Sequence, residues 1–80
     1  MDNNKLQQNK DLLHKIERED TILSRINFLL GKNCFTICDK SLNTIVPIDK
    51  EIGLYVLSFQ RIEIQQRLSE LYQELIDLWK

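Results

Sequence analysis

Glycine and proline are scarce, with two glycines and one proline in 80 residues. That scarcity excludes a collagen-like, linker-like or turn-rich all-β chain. Cysteine is limited to Cys34 and Cys38, too few for a disulfide scaffold. In a reducing compartment such a pair reads as small, half-buried apolar groups. A zinc site needs four ligands, and a Cys-x3-Cys pair with only the distant His14 does not supply them. No metal or other cofactor is expected. No apolar run is long enough for a signal peptide or a membrane span, and Met1 to Lys10 is polar and rich in Asn and Gln. The cytoplasm is the expected compartment. Excess charge of one sign is also missing, because eleven basic side chains stand against twelve acidic ones for a net charge of -1. A basic field for nucleic acid or anionic lipid is therefore absent.

What remains is 42% hydrophobic and 29% charged, the balance of a helix-rich soluble domain and not of a disordered chain. At this length one domain over residues 1–80 is expected, with no room for two separate cores.

The dominant pattern lies in the last third. Leu54, Leu57, Ile64, Leu68, Leu71, Leu75 and Leu78 recur at alternating intervals of three and four, a heptad seam interrupted only by Arg61. The spacing predicts a helix over about 50–79, with Asp49 as its N-cap and Glu51 in its first turn. Gly53 conflicts with this reading, since Leu54 to Phe59 also suits a third strand with Ser58 capping a later helix. The seam begins at Leu54 without a phase break, which favours the helix.

Upstream, Leu12, Ile16, Leu23, Ile26 and Leu30 form a second stripe with Asn9 and Glu19 as its polar members. This predicts a helix over about 4–30. Asp2, Asn3 and Asn4 offer caps at its start, and Gly31 stands where a left-handed C-terminal cap favours glycine. Between the helices, Cys34 to Cys38 and Thr44 to Ile48 are β-branched and aromatic runs flanking turn residues, so a β-hairpin is expected over about 33–48. Pro47 restricts its strand to an edge.

The expected fold is therefore mainly α: an antiparallel, coiled-coil-like helical hairpin of helix, short β-hairpin and helix, completed by oligomerisation. In an antiparallel pair the facing residue numbers have a constant sum. One such sum pairs Ile26 with Leu54, Leu23 with Leu57, Ile16 with Ile64 and Leu12 with Leu68. It also sets Glu19 opposite Arg61, a charge pair that would penalise slipped registers. The same register leaves Leu71 facing Asn9, Leu75 facing Lys5 and Leu78 facing Asp2, so Tyr72, Leu75, Ile76, Leu78 and Trp79 form an uncovered patch. Tyr55, Phe59 and Ile62 make a second stripe off the seam. Another protein chain, identical or different, is the expected partner for both.

The layout of helix, β-hairpin and helix resembles that of prefoldin β-type subunits, whose helices are longer. The resemblance is one of layout, and it implies a chaperone-like subunit. Together with the residue pattern it points to a non-catalytic interaction module, a small coiled-coil subunit or adaptor of a larger assembly. The alternative is a dimeric helical hairpin that binds nucleic acid through Lys10, Lys15, Arg18 and Arg25. Those four are interleaved with Asp11, Glu17, Glu19 and Asp20, as on an ordinary solvated helix face. An enzyme is not expected, because metal-binding, phosphate-loop and nucleophile motifs are all missing, and His14, Ser58 and the thiols have no adjacent catalytic partner in sequence.

Overall fold

A computed structural model describes residues 3–80. Its elements are α1 (Asn3–Leu29), β1 (Phe35–Cys38), β2 (Ile45–Ile48) and α2 (Lys50–Leu78). The two helices pack along each other, and the hairpin closes one end. The Asp2 cap and the pairing of Leu78 with Asp2 fall outside the described residues.

The core follows the two stripes. Ile16, Ile26, Ile64 and Leu68 are buried, with Ile64 fully enclosed, and Ile22, Leu23, Leu30, Leu57, Leu71 and Leu75 pack around them. No polar or charged residue among those described is buried. The segment Leu54–Phe59 is helical from Lys50 onward, so the third-strand alternative does not occur.

The helix ends differ in detail from their sequence signals. Gly31 does not take the left-handed conformation. Instead α1 closes with tight turns in which the Gly31 amide donates to the Phe28 carbonyl at 3.3 Å and the Lys32 amide to Leu29 at 2.9 Å. Asp49 has the extended backbone of an N-cap, but its side chain makes no capping hydrogen bond; its carbonyl accepts from the Gly53 amide at 2.9 Å. Cys34 and Cys38 are free and exposed, not half-buried, because the hairpin is only two strands thick and has no second layer over it.

In the antiparallel hairpin Phe35 pairs with Ile48, Thr36 with Pro47, Ile37 with Val46 and Cys38 with Ile45. Asp39 organises its turn. The carboxylate accepts from the Ser41 hydroxyl at 2.8 Å and from the Asn43 amide at 2.9 Å, and Leu42 adopts a positive φ of 60°. The hairpin leans on α2 through Phe35, whose ring lies over Gly53. A Cβ at Gly53 would stand 2.5 Å from the Phe35 Cδ2 and 2.9 Å from its Cβ. This contact resolves the conflict of a glycine in a helical first turn: the position is kept bare so that β1 can approach.

The register differs from the one read off the stripes. Trp79 Nε1 donates to Asn9 Oδ1 at 2.9 Å, and Arg67 Nη2 stands 3.8 Å from Glu19 Oε2. Asn9 is therefore beside the end of α2 and not beside Leu71, and Glu19 pairs with Arg67 and not with Arg61. The helices are shifted by about one heptad. A heptad pattern is satisfied equally by registers one repeat apart, and the hairpin breaks the tie. By folding β1 onto the first turns of α2, it occupies the stretch of seam around Gly53 and Leu54 that Ile26 was expected to cover. The α1 helix then meets α2 further along, and Leu71 and Leu75 become part of the intramolecular core.

The result is elongated, 53 × 25 × 14 Å, with a radius of gyration of 17.0 Å. A compact chain of this length would have about 12 Å. Its accessible surface is 6522 Å², against about 5,100 Å² for a typical folded monomer of this mass.

Candidate interaction surface

Eight residues were expected to meet a partner: Tyr55, Phe59, Ile62, Tyr72, Leu75, Ile76, Leu78 and Trp79. The structure divides them into two groups. Leu75 and Leu78 are half-buried, and Leu75 packs against the core. The expectation that the last turns of α2 lack apolar cover is therefore corrected, because the one-heptad shift brings α1 alongside them. Tyr72, Ile76 and Trp79 remain exposed beside this covered seam, with the Trp79 indole tied to Asn9.

The other group stays clear of both helices' shared core. Tyr55 is 74% exposed, Phe59 60% and Ile62 59%, and the structure adds Ile52 at 53% and Val56 at 52%. Ile52, Tyr55, Phe59 and Ile62 recur at intervals of three, four and three. That makes a second heptad stripe, rotated about 180° from Ile64 at 100° per residue. The N-terminal half of α2 is thus apolar on two opposite faces. Only one of them is used by α1. A helix with apolar residues all round belongs in an interior.

Ile52 was missed in the sequence reading, although it stands three residues before Tyr55 in the same stripe. Val56 and the groove beside it were not legible in α2 alone. That groove, of about 220 Å³, is walled by Leu29 of α1, by Phe35, Thr36, Ile37 and Ile48 of the hairpin, and by Ile52, Gly53, Val56 and Leu57 of α2. Three elements meet there, so only the tertiary fold assembles it. Its lining is almost wholly apolar, and it continues onto the exposed stripe.

The polar clefts have a different character. One, of about 450 Å³, is lined by Gln8, Asp11, Leu12, Lys15, Glu74, Asp77 and Leu78, and a neighbouring one by Lys15, Glu19, Arg67, Glu70, Leu71 and Glu74. Both mix charges of the two signs along the open flank of the helix pair. The Glu19 Oε2 atom is buried and has no hydrogen-bond donor; Arg67 faces it across 3.8 Å, beyond hydrogen-bond length. Arg61, half-buried at the seam edge, has no ion pair in the described structure.

The Asp39 carboxyl is held below the usual carboxylate range, foremost by the Ser41 hydroxyl. Desolvation opposes this, and the Thr44 and Asn43 amides add smaller contributions to the lowering. These bonds order a turn. No group of three or more His, Cys, Asp or Glu able to hold a metal ion occurs among the described residues. Lys10, Lys15, Arg18 and Arg25 are all exposed along α1. Arg18 and Arg25 share an open cleft with His14, Glu17, Thr21 and Ile22, where Glu17 is the one acidic lining residue.

No protein-family model matches the chain, and neither a curated protein nor a solved structure matches it. Among the described residues no helix is long and apolar enough to cross a membrane.

Proposed function

We propose that this chain is a non-catalytic protein–protein interaction module, a small coiled-coil subunit or adaptor that works in the cytoplasm as part of a larger assembly. The observation that carries this reading is the second face of α2, where Ile52, Tyr55, Val56, Phe59 and Ile62 are each more than half exposed. Their exposed fractions amount to about three whole side chains, or about 600 Å² at roughly 200 Å² per large residue. That is the upper end of the largest apolar patch on an ordinary monomer, a size that is often functional, and the adjoining groove extends it further. The elongated shape and the surplus of accessible surface support the same reading.

Bait proteins separate this reading from its failure. The full chain and an Ile62→Glu variant, which leaves the α1-facing seam untouched, are each passed over native lysate and measured by light scattering. A stoichiometric complex or self-assembly given by the wild type and lost in the variant is the expected result. A chain that remains a soluble monomer and retains nothing overturns it.

A further inference from the structure

We propose that the occupant of this face is a second copy of the chain, docked antiparallel so that the first four turns of α2 from two protomers pair about a twofold axis near Leu57. The inference rests on the interaction-module reading above and names its partner.

The stripe is self-complementary in one direction. With the axis near Leu57, Ile52 lies opposite the partner's Ile62, and Tyr55 lies opposite the partner's Phe59. Every apolar member of the stripe then meets another, with the a and d positions facing each other as antiparallel packing requires. The partner's Phe59 enters the hole formed by Ile52, Tyr55, Val56 and Phe59, all of which are exposed in the single chain. That hole adjoins the apolar groove walled by Leu29, Phe35 and Ile48, so an aromatic knob there meets apolar walls on three sides.

The opposite, parallel arrangement is less well served by the sequence. Beyond Ile62 the stripe continues through Gln66, Ser69 and Gln73 before Ile76. Parallel pairing would stack these three polar layers against themselves, each needing hydrogen-bond partners in a dry interface. In the antiparallel arrangement the overlap ends where the partner's α2 begins at Lys50. Gln66, Ser69 and Gln73 fall beyond it and keep their solvent.

The available area suits a dimer. About 600 Å² of stripe per chain, plus the groove edge, approaches the roughly 800 Å² per partner of a stable interface. A net charge of -1 opposes self-association little.

Sedimentation velocity of the full chain over a range of concentrations should give twice the chain mass of 9.6 kDa. Phe59→Glu should return it to the monomer with its helical circular dichroism intact, whereas Phe59→Leu keeps the dimer. Geometry is read separately, in a Cys34→Ser, Cys38→Ser background, with a short bismaleimide. Ser58→Cys should cross-link to its own copy. Gln66→Cys should not, since its two copies stand about 27 Å apart along the helix axis at 1.5 Å per residue.

Cross-linking through position 66 and not 58 overturns the antiparallel arrangement, as does a dimer that survives Phe59→Glu. A wild-type monomer that binds a different protein through Phe59 overturns self-association and leaves the interaction-module reading standing. A monomer that binds nothing overturns both.

Discussion

Glu19 Oε2 faces Arg67 Nη2 at 3.8 Å across the helix pair, while Arg61, one turn and a half earlier on α2, has no ion pair in the described structure. The Glu19 side chain is largely enclosed and Arg67 is about half exposed, so the pair's net contribution is small. Its significance is as a marker of register. A thermodynamic cycle with Glu19→Arg and Arg67→Glu should show coupling of about 0.5 kcal/mol, and the cycle through Arg61→Glu none. Because the Glu19 Oε2 atom lacks a donor, Glu19→Leu should raise stability in urea denaturation by up to about 1 kcal/mol, by exchanging an oxygen without a hydrogen bond for apolar seam packing. Coupling to Arg61 in place of Arg67 would restore the register first read from the stripes.

Gly53→Ala tests the contact that selects this register. Helix propensity alone favours alanine by about 1 kcal/mol. The new Cβ would meet Phe35 Cδ2 at 2.5 Å and Cγ at 2.6 Å, and overpacking of that kind costs about 1 to 3 kcal/mol. The expected outcome is a lower melting temperature. In a Phe35→Gly background, which removes the ring and also the Phe35 Cβ that would stand 2.9 Å away, the same substitution should become neutral or stabilising, which isolates the Phe35 side chain as the cause.

The Asp39 turn should respond to acid. Its folded-state carboxyl is more acidic than in the unfolded chain, owing first to the Ser41 hydroxyl. The hairpin's gain from this group is therefore present above the unfolded pKa of about 3.9 and is lost as pH falls through the lower folded value. Amide hydrogen-exchange protection at Asn43 and Thr44, taken relative to the intrinsic rate at each pH, should fall across that acidic window in the wild type. In Asp39→Ala the exchange should already be fast at neutral pH and lack this titration.

Leu42 offers a gain. Its φ of 60° is a conformation that costs a leucine about 1 kcal/mol, and its side chain is exposed. Leu42→Gly should stabilise the hairpin by up to about 1 kcal/mol, read as a higher denaturation midpoint with the far-ultraviolet spectrum unchanged. A lower midpoint would show that the backbone freedom glycine loses on folding outweighs the strain relieved.

The sequence was legible wherever a signal was periodic or local. Leu12, Ile16, Leu23 and Ile26 mark one helix face, and Ile64, Leu68 and Leu71 mark another. The turn chemistry from Asp39 to Asn43 marks the hairpin, and the order of elements follows. Of the exposed stripe, Tyr55, Phe59 and Ile62 were visible from their spacing. Gly31 and Asp49 were placed correctly at helix ends, but their caps were not, because cap geometry depends on the direction the chain must take next.

By itself the sequence determined that two amphipathic helices flank a short hairpin, since hydrophobic period and turn residues act over a few neighbours. Only the tertiary structure decided how far one helix slides along the other. A repeat of seven leaves registers one heptad apart nearly equal in apolar contact, and the packing of Phe35 on Gly53 from outside both stripes separates them. That choice also decides which apolar residues the chain covers for itself. It packs Leu71 and Leu75, half-buried, against the core and leaves Tyr55, Phe59 and Ile62 outside.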